Sequence, residues 1–357
     1  MKSSLTRREA LFTLGTLGLT GMLAACGNNS NTTASEETKQ EAAAEDVVVR
    51  VAALKGPTAI GLMQMMESTS GIPTGEQAEA PEAAEGSGIT YFYTISAAPE
   101  EVLPMVIQGK ADIALVPSNV GSVLYNKTEG GIQAIDINTL GVLSVVTGDE
   151  SIKNFADLAG KTIYISGKGS SPEYVLNYLL TEAGIADTVT LEWKDEHSEV
   201  AAVLASDPTA VGVLPQPFTT ATLIKNEALS APIDLTDVWN QYVTDGSQFV
   251  LATTIVRKDF ADQHPAAVAD FIKRHAASVE AVNGDPEAAA KLVVQAGIIE
   301  AEPVAAKAIP QCNIVCVTGE EMKNALKGYL QVLYDADPAS VGGKLPEDDF
   351  YYTGESK

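Results

Sequence analysis

The regular alternation of short apolar segments with amphipathic segments is the feature that most restricts the fold of this chain. Short runs rich in Val, Ile and Leu are typical of buried strands, and the amphipathic segments between them are typical of helices. Alternating strands and helices place the strands side by side in a parallel sheet with helices on both faces. The predicted fold class is therefore α/β and doubly wound. The predicted strands are 47–54, 90–95, 111–116, 162–166, 189–193 and 211–214, and the helices between them are 58–66, 99–108, 172–183 and 198–205.

The order of these elements occurs twice along the chain. A strand that runs through a glycine-containing turn into a helix is found at 51–58 and again at 163–172. A helix followed by an apolar strand and a proline is found up to 112–119 and again up to 210–217. This internal repeat predicts two similar lobes, while a chance similarity of generic strand and helix units is the alternative. Three later helices are expected to pack against the lobes, at 262–282, 286–296 and 319–334.

The N-terminus has the pattern of a secretory signal. Three basic residues, Lys2, Arg7 and Arg8, precede an apolar run at 11–23. That run is too short to be a stable membrane-spanning helix, and small residues follow it. We therefore predict a signal peptide over residues 1–25, with the general and the twin-arginine export routes both open.

The segment Leu23-Ala24-Ala25-Cys26-Gly27 resembles the bacterial lipobox, in which the cysteine thiol receives a lipid. The mature protein is predicted to begin at Cys26 and to be extracytoplasmic, lipid-anchored to the cell membrane. A plain secretory signal with an incidental cysteine is the alternative. Residues 26–46 contain almost no large apolar side chain, so we expect a flexible tether. Residues 71–88, rich in Glu, Ala, Pro and Gly, predict a long surface loop.

Charge and composition argue against several classes of function. The 47 Asp and Glu outnumber the 23 Lys and Arg, and a net charge of −24 disfavours nucleic acid and anionic membrane surfaces as partners. The cysteines and histidines are too few and too scattered for a metal site, and no cofactor is expected. Cys312 and Cys316 either form a local disulfide or stay as free thiols. A Gly-x-Ser-x-Gly motif is missing, so no catalytic residue is predicted and the chain is not expected to be an enzyme.

Two turns at predicted strand ends are candidate ligand-binding segments. Helix N-termini at the carboxyl ends of parallel strands direct unsatisfied N–H groups into the crevice, where they can bind carboxylate, sulfonate or phosphate. The first turn is Lys55-Gly56-Pro57-Thr58, in which glycine permits a close approach and Thr58 can cap the helix or donate to a ligand. The second is Ser166-Gly167-Lys168-Gly169-Ser170-Ser171. A tight turn with ordinary helix caps is the alternative for it.

Single polar and aromatic residues leave alternatives open. His197 follows a predicted strand, and its side chain either reaches the crevice or lies in a solvated loop. Trp193 either packs in the core or stacks on a planar ligand. His264 and His275 are expected on helix surfaces. The methionines of the first helix are expected to fill the core. They are Met63, Met65 and Met66.

With these features the chain resembles the solute-binding lipoproteins of ABC importers, in the branch that binds nitrate, sulfonates, taurine and thiamine precursors. The resemblance covers roughly residues 47–334. Its carriers are the Asn154-Phe155-Ala156-Asp157-Leu158-Ala159-Gly160-Lys161-Thr162 segment, the turn from Gly167 to Pro172, and residues 256–265.

The resemblance implies a periplasmic-binding-protein-like fold of type II, with two doubly wound lobes joined by two crossing strands. The crossings are expected near 139–144 and 248–254. Residues 47–140 would form the first part of lobe 1 and 141–249 would form lobe 2. Residues 250–357 would return to lobe 1 and add C-terminal helices that buttress it.

The resemblance also implies which residues contact the solute. They lie at strand ends and helix starts on both sides of the crevice. In lobe 1 they are Lys55, Gly56, Pro57, Thr58, Ser96, Ser118 and Asn119, and in lobe 2 they are Ser166, Lys168, Gly169, Ser170, Ser171, Gln216 and Phe218. Many relatives have an acidic or aromatic pair at the last strand end, whereas this chain has Pro215-Gln216-Pro217-Phe218.

The implied function is capture of a small organic solute, such as a sulfonate or a pyrimidine, for an ABC importer. The implied partners are the solute, an ABC permease with its ATPase, and the membrane through the lipid on Cys26; the protein is expected to be a monomer. Two alternatives use the same cleft: an enzyme acting on a pyrimidine or quinone precursor, and a lipid-tethered sensor domain.

Overall fold

Two mixed sheets organise the chain in the computed structural model, which describes residues 46–73, 80–97 and 99–354. The predicted signal peptide, Cys26 and all of the tether except its last residue lie outside the described residues. The strands are β1 Val47–Leu54, β2 Ile89–Ser96, β3 Ile113–Pro117, β4 Ile132–Leu140, β5 Leu143–Thr147, β6 Thr162–Ser166, β7 Thr190–Lys194, β8 Val211–Pro215, β9 Ser230–Asp234, β10 Val250–Arg257 and β11 Ile314–Val317.

The first sheet has six strands in the order β11-β4-β10-β3-β1-β2. Strand β1 lies between β2 and β3 and is parallel to both, so the carboxyl ends of these three strands meet at one edge of the sheet. Strand β10 is antiparallel to β3 and β4, and β11 is antiparallel to β4. We call the part of the protein built on this sheet lobe 1.

The second sheet has five strands in the order β7-β6-β8-β5-β9. Strand β6 is parallel to β7 and β8, while β5 is antiparallel to β8 and β9. Each sheet therefore has a parallel unit of three strands, extended by antiparallel strands. We call the part built on the second sheet lobe 2.

Helices connect and cover the strands of both sheets. Among the described residues, proline occupies the first turn of six of them, where its missing N–H costs no helical hydrogen bond. The α-helices of the described residues are α1 Pro57–Ile60, α2 Met63–Thr69, α3 Pro99–Ile107, α4 Ser118–Lys127, α5 Ser171–Glu182, α6 His197–Ser206, α7 Phe218–Lys225, α8 Leu235–Tyr242, α9 Lys258–Gln263, α10 Pro265–Gly284, α11 Pro286–Gln295, α12 Glu302–Ala308 and α13 Gly319–Ala336. Short 3₁₀ helices occur at Phe155–Leu158, Ala186–Thr188, Ile309–Gln311, Pro338–Val341 and Asp348–Phe350.

The predicted α/β fold with two lobes is confirmed. The prediction of one continuous first helix is wrong. The structure divides residues 58–66 between the short helices α1 and α2, with a break at Gly61 and Leu62. A Cβ atom at Gly61 would lie 3.0 Å from a methyl carbon of Ile314 and 3.3 Å from Nε2 of His275. The chain passes this close to β11 and α10 because glycine leaves the space free. The three methionines of α2 are buried, as predicted.

The prediction that His275 lies on a helix surface is wrong. Its side chain is fully buried, and Nδ1 lies 2.9 Å from Oδ2 of Asp136 on β4. The Oδ1 atom of Asp136 accepts a hydrogen bond of 2.6 Å from the hydroxyl of Thr254 on β10. A buried carboxylate is tolerated when its oxygens are hydrogen-bonded. These contacts fix α10 to the middle of the first sheet.

An aromatic cluster packs where the chain passes between the lobes. The ring of Trp239 on α8 lies 5.6 Å from Phe249, just before β10, and 5.5 Å from Tyr329 on α13, measured between ring centroids. Its Nε1 donates a hydrogen bond of 2.8 Å to the carbonyl of Ser247. On the other connection, a Cβ at Gly141 would collide with the Thr236 hydroxyl and the Phe249 ring, so only glycine fits at this position. Lobe 2 is thus joined to lobe 1 through packed aromatic side chains.

Cys312 and Cys316 are free thiols in the structure. Cys312 is buried, and its Sγ donates to the carbonyl oxygen of Ala308 at 3.2 Å. Within the described residues, none of the helices combines the length and the apolar character that a bilayer crossing requires.

Candidate functional site

The predicted ligand residues lie at the carboxyl ends of the parallel strands in both lobes. In lobe 1, β1 leads into α1 through Lys55 and Gly56, β2 ends at Ser96, and β3 continues directly into α4 at Ser118. Gly56 has a φ of 132°, a left-handed conformation that favours glycine, and a Cβ there would meet no atom within 4 Å. This edge of lobe 1 is therefore open for a close approach.

Two polar groups on the lobe 1 edge have hydrogen-bond partners within the protein. The Thr58 hydroxyl donates to the carbonyl of Leu54 at 2.8 Å, and the Lys55 backbone N–H donates to the carbonyl of Ser96 at 2.9 Å. The Lys55 side chain is exposed and Ser96 is buried.

Ser118 differs from its neighbours. It is fully buried at the first position of α4, and its hydroxyl has no hydrogen-bond partner among the described residues. A buried hydroxyl without a partner costs about 1–3 kcal/mol, and a ligand acceptor would recover part of this. Ser118 is therefore the predicted residue whose environment most favours a ligand contact.

The lobe 2 edge combines a hydroxyl, an imidazole and a phenyl ring. The Ser166 hydroxyl, at the end of β6, lies 2.5 Å from Nδ1 of His197 at the start of α6. The His197 ring lies 5.0 Å from the Phe218 ring at the start of α7. Three strand ends, β6, β7 and β8, thus bring these side chains together. The arrangement can present a hydrogen-bonding imidazole edge and an apolar ring face to a small molecule.

The turn between β6 and α5 uses its glycines to reverse the chain. Gly167 and Gly169 have φ values of 88° and 77°, which favour glycine. The Ser170 hydroxyl donates to the carbonyl of Gly167 at 2.7 Å, and the Gly169 N–H donates to a carboxylate oxygen of Glu173 at 2.5 Å. The Lys168 side chain is exposed, so it can supply a positive charge at this edge.

Three more of the predicted residues have their side-chain polar groups bound within the protein. The Gln216 amide oxygen accepts from the hydroxyl of Thr220 at 2.8 Å. Asn119 of lobe 1 and Ser171 of lobe 2 are hydrogen-bonded to each other at 3.2 Å. Some of the fourteen predicted residues are therefore hydrogen-bonded across the two lobes, as Asn119 and Ser171 are. Others, such as Gln216, are hydrogen-bonded to residues near them in the same lobe.

Sequence reasoning left His197 outside the predicted site. A single histidine at a strand end does not show whether its side chain reaches the crevice or solvent. The available signal was its position just after the second parallel strand of lobe 2, and the contacts with Ser166 and Phe218 decide the orientation. Trp193, on β7, is half-buried.

The family model described as NMT1/THI5 like matches residues 87–289, more than half of the chain. The chain belongs to the NMT1/THI5-like family. No curated protein matches its sequence.

Solved structures share the fold of this NMT1/THI5-like protein. An ABC transporter from Parabacteroides distasonis is 21% identical with a TM-score of 0.70, over 86% of this chain and 99% of that chain. The periplasmic aliphatic sulphonate binding protein SsuA from Escherichia coli is 14% identical with a TM-score of 0.64, over 83% and 90%. The alkanesulfonate-binding protein SsuA from Xanthomonas axonopodis pv. citri, bound to MOPS, is 13% identical with a TM-score of 0.60, over 85% and 96%. At these identities the likeness shows the fold.

A separate cavity of about 470 Å³ lies between α5 and the end of α13 in this NMT1/THI5-like chain. None of the fourteen predicted residues lines it. Its lining is Tyr174, Asn177, Tyr178, Thr181, Glu182, Val332, Leu333, Asp335, Ala336 and Asp337. Volume alone therefore does not locate the predicted site.

The imidazole of His197 predicts a pH dependence of stability in this family member. Burial lowers the pKa of His197 from 6.5 to about 4, while the Glu196 charge opposes the shift. Above pH 6.5 the imidazole is neutral in both states; as the pH falls, the unfolded chain binds the proton first and stability is lost down to about pH 4. We expect the free energy of unfolding of the wild type, minus that of His197→Asn, to fall by about 3 kcal/mol across this window. Urea unfolding at several pH values measures it, and parallel profiles of the two proteins would show that His197 is not desolvated.

Proposed function

We propose that this protein is an extracytoplasmic solute-binding lipoprotein of an ABC importer. A small organic solute, such as a sulfonate or a pyrimidine, binds in the cleft between the lobes and is delivered to a permease whose ATPase is a separate chain. The lipid on Cys26 anchors the protein to the membrane. Family membership, the two-lobed fold and the sulfonate-binding proteins that share this fold support the proposal.

The observation that carries the proposal is the buried hydroxyl of Ser118, for which the described part of the chain offers no hydrogen-bond partner. It lies where β3 meets α4, so the first backbone N–H groups of a helix ten residues long begin beside it. A buried hydroxyl without an acceptor destabilises the ligand-free protein, and a hydrogen bond to a bound acceptor removes this cost. A site that gains hydrogen bonds only on binding is what solute capture needs.

The remaining contacts of the proposed site match a small, polar solute with an apolar part. Exposed Lys55 and Lys168 supply positive charge from the two lobes, and neutral His197 supplies a hydrogen bond from the imidazole edge. Phe218 offers a ring face next to His197. Local donors set the affinity of such a site, while the net charge of −24 does not oppose an anion held by them.

The predicted domain boundaries complete the proposal. Lobe 1 would comprise 47–140 and 250–357, lobe 2 would comprise 141–249, and the protein would act as a monomer. Lobes that close over the solute would form the surface that the permease recognises.

A thermal unfolding screen tests the function. The chain from Asp46 onward is melted alone and with sulfonates, nitrate, pyrimidines, thiamine precursors, flavins and amino acids. A solute at 100 times its dissociation constant raises the free energy of unfolding by about 2.7 kcal/mol, which appears as a higher melting temperature. A clear rise with one class identifies the solute class. No rise with any compound, in protein shown by mass spectrometry to carry no bound solute, would contradict the proposal.

Replacing Ser118 by alanine is expected to have opposite effects on stability and on binding. Removal of a buried hydroxyl without a partner should leave the ligand-free protein as stable or more stable by about 1 kcal/mol. The affinity for the solute from the screen should fall about tenfold, which corresponds to about 1.4 kcal/mol. Titration calorimetry measures the second effect, and Lys168→Ala added to Ser118→Ala should weaken binding further.

Ser206→Ala is the matched control. Ser206 is exposed at the end of α6 and donates to the Val203 carbonyl within its own helix, at 2.8 Å. The affinity of the Ser206→Ala variant for the solute should equal that of the wild type. Unchanged affinity in the Ser118 and Lys168 double variant would show that the site lies elsewhere.

A further inference from the structure

Asn119 on α4 and Ser171 on α5 lie where the two lobes meet at the floor of the cleft. Asn119 is 1% exposed and Ser171 is fully buried. The Ser171 hydroxyl lies 3.2 Å from the Asn119 amide oxygen, so the first turn of a lobe 1 helix contacts the first turn of a lobe 2 helix. We call this pair, Asn119 and Ser171, the latch.

The amide nitrogen of Asn119 is also used within the protein. It donates to the carbonyl of Gly169 in lobe 2 at 3.4 Å and to the carbonyl of Ser340 at 3.2 Å. Ser340 belongs to the 3₁₀ helix that follows α13. Both N–H groups of the amide are therefore engaged, one across the lobes and one to the C-terminal part of lobe 1.

The Ser171 hydroxyl reaches a second lobe 1 group. Its oxygen lies 3.3 Å from the carbonyl of Leu251 on β10, the strand by which the chain returns to lobe 1. One hydroxyl hydrogen is thus shared between two acceptors of lobe 1, the Asn119 amide oxygen and the Leu251 carbonyl. Neither side chain has a free N–H or O–H to give to a solute while these contacts hold.

We propose that the latch positions the lobes rather than binding the solute. By joining the lobes at the cleft floor, the latch favours an arrangement in which Ser118 of lobe 1 faces the lobe 2 edge. That edge is formed by Ser166, His197 and Phe218. This inference rests on the proposed function, and it replaces solute contact by lobe positioning as the role of Asn119 and Ser171. Breaking the latch shifts the ligand-free protein toward an open form. The fraction of molecules in the arrangement that binds the solute then falls, and the apparent affinity for the solute is weaker.

Small-angle X-ray scattering of the ligand-free chain is the deciding measurement. Ser171→Ala, Asn119→Ala and the double variant are compared with the wild type and with Ser206→Ala. We expect a larger radius of gyration in all three latch variants and the wild-type value in Ser206→Ala. The double variant should have the largest radius, since each single change leaves one contact across the lobes, Ser171 to Leu251 or Asn119 to Gly169. Ser171→Ala is the more conservative variant, and circular dichroism establishes that each protein is folded.

Calorimetric titration with MOPS separates the latch from the proposed function. We expect the dissociation constant to rise about tenfold in each latch variant, together with the larger radius. A weaker affinity at an unchanged radius would overturn the inference, because it would mean that these residues contact the solute. A larger radius without any binding of MOPS by the wild type would support the latch and count against sulfonate capture. An unchanged radius and an unchanged affinity would also overturn the latch.

Discussion

Replacing Asp112 by alanine is expected to lower the free energy of unfolding by about 3 kcal/mol. Asp112 is 1% exposed and precedes β3. Its carboxylate accepts hydrogen bonds from the Arg50 backbone N–H at 2.9 Å and from the Arg50 Nε at 2.7 Å, and a second guanidinium, that of Arg257, lies 3.6 Å away. Removing the carboxylate leaves a buried N–H and two guanidinium groups without their shared acceptor. Urea unfolding followed by circular dichroism measures the loss.

Asp259→Ala is the control for this prediction. Asp259 also lies near Arg257, at 3.3 Å, but its side chain is 61% exposed. Exposed ion pairs contribute about 0–1 kcal/mol, so this variant should be close to the wild type. If Asp112→Ala were as mild as Asp259→Ala, the buried carboxylate would not be what joins β1, β3 and β10.

Replacing Trp239 by alanine is expected to cost about 3–5 kcal/mol of the free energy of unfolding. The side chain is fully buried among Tyr178, Phe249 and Tyr329, with its ring centroid 5.5 to 5.6 Å from each. The change leaves a cavity where lobe 2 meets the returning chain and α13. It also leaves the Ser247 carbonyl without the indole donor. Denaturant unfolding gives the size of the effect.

Trp193→Ala is the matched control, because it removes the same side chain from a half-buried position on β7. We expect a loss of about 1 kcal/mol, since solvent fills most of the space that is vacated. Equal losses in the two variants would show that the aromatic cluster adds nothing special at the junction of the lobes.

The alternating strands and helices could be predicted because their side chains follow simple hydrophobic patterns. β1, β3, β6 and β8 are mostly buried and apolar, and β1 is parallel to β3 and β6 is parallel to β8 in the way that the alternation indicates. The buried side chains on both faces of such strands leave a clear signal in the sequence.

The antiparallel strands were harder to predict because their patterns depend on tertiary contacts. β4 buries Asp136 and Asn138, whose side chains both bond to Thr254, a residue far away in sequence. β9 is mostly exposed and contains a proline. The sequence predicts a surface position for His275 for the same reason, since its burial depends on the contact with Asp136, which is distant in sequence.

The location of the candidate site could be predicted from the sequence, but the hydrogen-bond partners of its polar groups could not. Glycine-containing turns and helix starts at strand ends indicate where a crevice lies, and the structure does bring residues of both lobes together there. The partners of each polar group depend on distances between lobes that the sequence does not reveal. Ser118 and Asn119 are adjacent in sequence, yet one hydroxyl has no partner among the described residues while the other side chain is fully engaged.

Hydrogen exchange with and without the solute from the screen tests most directly whether the ligand lies between the lobes. We predict slower exchange at the start of α4, from Ser118, and in the turn at 166–171 of lobe 2, both in the same complex. Protection of one lobe alone, or of the α5 and α13 cavity instead, would contradict the account.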